Sequence, residues 1–121
     1  MLQASFNPGK SEGGAAMSAE EFRVDLLEDW PLGLYQDATD AWGKDAQITL
    51  AQEELAELNV ELARYFRGRN DTEDVVDEIA DVLIAANQLA LIFGKEKTEE
   101  RVEYKLRRLR GRVDESQGGA D

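Results

Sequence analysis

ITLAQEELAELNVELARY, residues 48–65, is the stretch whose reading decides the fold. Ile48, Ala51, Leu55, Leu58, Leu62 and Tyr65 recur at alternating steps of three and four, which is the spacing of one face of an α-helix. A second stretch, TEDVVDEIADVLIAANQLALIF at 72–93, repeats the design with Val75, Ile79, Val82, Ala86, Leu89 and Phe93. The first pattern predicts a helix over about 45–67, broken by Gly68-Arg69-Asn70-Asp71. Asp71 or Thr72 caps the second, over about 72–93, and Gly94 stops it.

Outward from this pair, residues 97–113 carry Val102, Leu106, Leu109 and Val113 on one helical face and arginines on the other. Upstream, about 32–42 reads as a short helix with Leu34, Tyr35, Ala38 and Trp42 to one side, closed by Gly43. Ser18-Ala19-Glu20-Glu21 is a capping box that opens another short helix, carrying Phe22, Leu26 and Leu27 until Trp30-Pro31 interrupts it. No segment alternates with the period of a strand, so the fold class is all-α: a helical bundle around two long helices. Residues 1–17, rich in Gly, Ser and Ala without periodicity, read as a flexible tail, and 114–121 as a polar C-terminal tail. One domain over 18–113 remains. The 72–93 helix is apolar around much of its circumference, with Val76, Leu83, Ile84, Ala90 and Leu91 off the main stripe. A single small bundle leaves part of that exposed, so a dimer or tetramer is expected.

Composition narrows the chemistry. The 121 residues include 26 acidic and 14 basic side chains, a net charge of −12, which repels a nucleic-acid backbone. The chain contains no cysteine, which removes disulfides and thiolate metal sites. It contains no histidine either, which removes His-ligated zinc, the Glu-x-x-His di-iron bundle and Ser-His triads. Any catalysis must therefore run on carboxylates, lysine, arginine and water. No apolar run approaches membrane-spanning length and no signal pattern opens the chain, so a soluble cytoplasmic protein without a membrane partner is expected.

The acids are placed unusually. At about 100° per residue, Glu54, Glu57 and Glu61 share one flank of their helix, beside the apolar stripe rather than opposite it. Asp74, Glu78 and Asp81 take the matching flank of the next helix. If the two helices pack through their apolar faces, these carboxylates converge, and like charges so close do not all stay ionised without a cation. All-oxygen ligation suits a hard ion, Mg²⁺ or Mn²⁺. The competing reading is that Glu-rich helices are simply soluble, which suffices for Glu61, Glu73, Glu99, Glu100 and Glu103.

Glu53-Glu54-x-x-Glu57, then 20 residues, then Glu78-x-x-Asp81 resembles the signature of the MazG-like all-α nucleoside triphosphate pyrophosphohydrolases. The neighbourhood is similar too: Trp42-Gly43-Lys44 and Gln47 before the first motif, Ile79 to Ile84 around the second, and Tyr104 to Leu109 near the end. The likeness spans about 35–112. It implies Mg²⁺-dependent hydrolysis of an NTP or dNTP to a monophosphate and pyrophosphate. In such families Glu54, Glu57, Glu78 and Asp81 would hold the metal, and Glu53 would orient or deprotonate the attacking water.

Lys105, Arg108 and Arg112 fall on one face of the last helix. The likeness assigns Lys105 and Arg108 to the substrate's phosphates; the plain alternative is a solvated basic face. Gln88, on the acidic side of its helix, is a candidate for sugar or phosphate contact, against an ordinary surface glutamine. Trp42 is a candidate for stacking on a base, against a core aromatic. Phe66 and Phe93 read as packing residues. The alternative function is an acidic helical interaction module without catalysis, in which lysines and arginines satisfy the carboxylates. A carboxylate-bridged redox bundle is remote without histidine.

Overall fold

The computed structural model describes residues 23 and 30–118. Among these, all regular structure is helical: α1 (Leu32–Trp42), α2 (Lys44–Phe66), α3 (Thr72–Phe93) and α4 (Lys95–Gly118). Among the described residues, no helix is long and apolar enough to cross a membrane. The expected tail at 1–17, the capping box at Ser18 and the helix bearing Phe22, Leu26 and Leu27 lie outside the described residues. The chain divides into two compact units, one spanning 31–93 and the other containing α4.

In the first unit, α2 and α3 form an antiparallel hairpin and α1 packs on α2. Glycines set the corners. Gly43 joins α1 to α2 at φ 87° and Gly68 turns the chain after α2 at φ 67°, a left-handed conformation that a Cβ makes costly. Asn70 fastens this turn, its amide donating to the Glu61 carbonyl at 3.0 Å and to the Glu61 carboxylate at 2.6 Å. Asp71 then starts α3 through a reciprocal cap. Its carboxylate accepts from the Asp74 N–H at 3.3 Å, and the Asp74 carboxylate accepts from the Asp71 N–H at 3.2 Å. Asp74 and Glu61 are thus occupied by local structure.

The packed seam differs from the stripe that the spacing predicts. Ala51 is buried, Ile48 and Leu58 are half-buried, but Leu55, Leu62 and Tyr65 are exposed. On α3, Val75, Val82 and Leu89 are half-buried and Ala85 is buried, whereas Ile79 and Ala86 are exposed. The physical reason is geometric. A second helix covers only one side of a broad apolar face, and no further helix of this unit lies along the other side. Phe66 and Phe93 close their helices and are exposed rather than packed. Phe66 meets Tyr65 edge-on at 6.4 Å, and the Lys44 ammonium sits 5.5 Å from the Phe93 ring centre. On α1, Tyr35 is buried while Leu34 and Trp42 are exposed.

In the second unit, α4 runs on to Gly118, so residues 114–118 are helical rather than a frayed tail. Arg110 holds that extension by donating through Nε and Nη2 to Asp114 at 3.1 and 2.7 Å, one turn on. Its apolar face carries Val102 and Leu106, both half-buried. The Arg101 guanidinium lies 4.6 Å from the Tyr104 ring centre on the exposed face.

Candidate metal centre

Antiparallel packing puts the middle of α2 beside the first half of α3. Because the acids flank the seam, this brings Glu54, Glu78 and Asp81 together, with one carboxylate oxygen of each within 4.8 Å of the others. Glu54 and Glu78 are half-buried and Asp81 is exposed, so the cluster opens to solvent on one side.

The electrostatics are strained. Glu54 Oε2 and Glu78 Oε2 are buried without a hydrogen-bond partner. Burial raises the pKa of Glu54 above its ordinary value, and the charges of Asp81, Glu57 and Glu78 push it the same way. Burial also raises Glu78, reinforced by Glu57, Asp81, Asp77 and Glu61. A buried anionic oxygen without a donor is costly, and neither helix supplies a cation here. The donor set is all oxygen, the chemistry of a hard divalent cation, and a bound cation would favour the ionised carboxylates against both burial and like-charge repulsion.

The expected residues divide clearly. Glu54, Glu78 and Asp81 meet. Glu57 lies outside the trio but acts on both glutamates by charge, and with Ala56, Val60, Glu61 and Glu78 it lines an adjoining groove of about 230 Å³. Glu53 is exposed on α2, about 100° around the helix from Glu54. Lys105 and Arg108 are exposed on α4, in the other unit.

Gln88 is buried, not a surface side chain. Its amide donates to the Tyr35 carbonyl at 3.3 Å and approaches the Thr39 hydroxyl at 3.5 Å, tying α3 to α1. Beside it the Tyr35 hydroxyl is raised in pKa by burial, offset by its hydrogen bond with Asn87. Trp42, 68% exposed, is free of the core and presents its ring to solvent. Sequence reasoning missed the groove residues Ala56 and Val60 and the charge of Asp77. Asp77 carries the one available signal, since it precedes Glu78 in the same acidic turn.

No family model matches the chain, and neither the curated proteins nor the solved structures provide a match. The likeness to MazG-like proteins stands on the residues quoted above alone.

Proposed function

We infer that the chain is a Mg²⁺-dependent nucleoside triphosphate pyrophosphohydrolase, acting on free (d)NTPs of the cytoplasm in nucleotide-pool sanitation, with Mn²⁺ a workable substitute. The observation that carries this reading is the trio Glu54, Glu78 and Asp81, drawn within 4.8 Å while two of its oxygens lie buried and unpartnered. Glu54, Glu78 and Asp81 would hold the cation, with Glu57 completing the set from the next turn of α2. A divalent ion there supplies neutralisation of the phosphate oxygens, the main requirement of phosphoryl-group substitution.

The chain's own residues divide the remaining work. Glu53 orients or deprotonates the attacking water. Water adds at phosphorus, the bond from the α-phosphorus to the bridging oxygen breaks, and pyrophosphate leaves with that oxygen. Lys105 and Arg108 receive the β- and γ-phosphates, and the exposed ring of Trp42 stacks on the base. A net charge of −12 fits a small free anion held by a few placed cations better than a polymeric one.

The interaction-module reading requires the carboxylates to be satisfied by lysine or arginine. The orphaned oxygens of Glu54 and Glu78 give it no support. The test is release of pyrophosphate from a panel of canonical and damaged (d)NTPs with Mg²⁺, Mn²⁺ or EDTA. Metal-dependent release of pyrophosphate and monophosphate is expected. No release from any nucleotide by folded, metal-replete protein overturns the reading.

A further inference from the structure

Helix α4 carries a line of cations. At about 100° per residue, Lys97, Arg101, Lys105, Arg108 and Arg112 fall within about 80° of one another around the helix. From Lys97 to Arg112 the line runs about 22 Å along the axis, at about 1.5 Å per residue. All five side chains are exposed, and no acid stands among them. Among the described residues, no hydrogen bond or ion pair engages the side chains of Lys97, Lys105, Arg108 or Arg112. Charges on the other sides of the same helix are paired: Lys95 Nζ lies 2.9 Å from Glu99, and Arg110 Nη2 lies 2.7 Å from Asp114. Within the line, neighbours stand four or three residues apart, the spacing at which like charges repel along a helix. A helix that neutralises charge elsewhere and leaves five repelling cations in a row is shaped for an anion from outside.

We propose that this line binds a linear inorganic polyphosphate chain, whose charges follow one another with no sugar or base between them. Length is the first argument. A triphosphate reaches only two neighbouring turns, whereas the line crosses about four turns of α4.

Width is the second argument. Glu100 stands about 100° around the helix from the middle of the line, with Glu96 and Glu103 beyond it. A thin chain rests on the cations alone, but a nucleic-acid duplex overhangs those acids in a chain of net charge −12. The surroundings of the line are the third argument. A single nucleic-acid strand is held by open aromatic faces as well as by cations. Tyr104 borders the line, yet the Arg101 guanidinium lies 4.6 Å from its ring centre and covers one face. A lipid surface is met by cations flanking an exposed apolar face. Val102 and Leu106 are half-buried and stand about 100° and 140° away from the line. Binding there is independent of the catalytic reading, which uses Lys105 and Arg108 but leaves Lys97, Arg101 and Arg112 without a task.

Calorimetric titration of the full chain in EDTA, with a linear inorganic polyphosphate long enough to run the whole line, tests it. Binding is expected to be at least about tenfold tighter than that of tripolyphosphate, because more cations are engaged. The logarithm of the affinity should fall with the logarithm of salt at a slope of about −3.5, five contacts at about 0.7 each. Arg101→Gln combined with Arg112→Gln should lower the affinity at least about tenfold and flatten the slope by about 1.4. Circular dichroism should show helicity retained, since the exchange removes repulsion from exposed positions. Arg69→Gln, an exposed arginine outside α4, should leave affinity and slope unchanged. No binding overturns the proposal, as does tripolyphosphate or a nucleoside triphosphate binding as tightly as the long chain. Tighter binding of a single-stranded oligonucleotide overturns it too, as does an unchanged affinity in the double variant.

Discussion

On one flank of the α2–α3 hairpin three carboxylates crowd within 4.8 Å, two of them with oxygens buried and unpartnered. On the other, six large apolar side chains from the same two helices face solvent without a charge among them. Each departs from what a lone helical hairpin should do, and in opposite senses: one removes charge from water, the other leaves hydrocarbon in it. The seam between them obeys the ordinary rule, with Ala51 and Ala85 buried. Departures from self-consistency in a chain that otherwise caps and turns its helices correctly mark surfaces shaped for something outside that chain. The acidic flank is the one on which the proposed cation site rests.

The sharpest break comes from removing charge on the acidic flank. Glu54→Gln or Asp81→Asn should lower metal-dependent pyrophosphate release by at least ~100-fold, since even outer groups of metal sites cost 10–100-fold. Neither should weaken the fold in the absence of metal, because one repelling charge is gone. Steady-state kinetics and thermal melts on the same samples check both halves. A variant that unfolds instead makes these acids structural.

Next in size is the response of the fold to metal and to protons. At a Mg²⁺ concentration 100 times its Kd the native state gains about 2.7 kcal/mol, a shift of several degrees in Tm, and Glu54→Gln should abolish it. Without metal, the sign of the pH dependence follows from the raised pKa values of Glu54 and Glu78. The native state binds more protons than the unfolded chain between the ordinary carboxylate value of 4.5 and the raised folded values. Stability therefore falls as pH rises through that window, and is higher below it than at neutrality as far as these two groups are concerned. Tm measured across the window in EDTA and in Mg²⁺ should show the slope in the first and its loss in the second.

The phosphate-binding role proposed for α4 is worth less. Lys105→Ala should raise KM for triphosphates or lower kcat/KM by roughly tenfold, about 1.4 kcal/mol, and leave the Mg²⁺-induced shift in Tm unchanged. An unaltered kinetic profile removes that lysine from the site.

How far these features were legible in the sequence follows from their physics. Helix identity and length are local, set by spacing, caps and glycine stops, so α2 and α3 read almost to the residue at Gly43, Gly68 and Gly94. The offset of Glu54 and Glu78 from the apolar stripe was legible for the same reason, being a matter of angle around a helix. Which part of a broad apolar face becomes the seam was not. Spacing places Leu55, Leu58 and Leu62 on one face, but only packing decides that Leu58 turns inward and the other two stay open. Helix ends were misread where a side chain overrides composition: the polar run from Asp114 looked frayed, yet Arg110 pairs with it and α4 continues.

The smallest predicted effect concerns Gln88, read from the sequence as a candidate for sugar or phosphate contact against an ordinary surface glutamine, and found as a buried tie to α1. An amide can sit on the acidic side of a helix and still be covered, because α1 crosses there and offers the Tyr35 carbonyl and the Thr39 hydroxyl as acceptors. Its substitution separates a structural role from a substrate contact. Gln88→Leu keeps the bulk of the side chain and deletes the donor, leaving the Tyr35 carbonyl short of one partner at a cost of about 1 kcal/mol. Because this tie does not contact the carboxylate trio, the melt should shift by a few degrees while KM and metal response stay as they were. A raised KM at unchanged Tm reverses the assignment, and draws Gln88 and the adjoining turn of α1 into the substrate site.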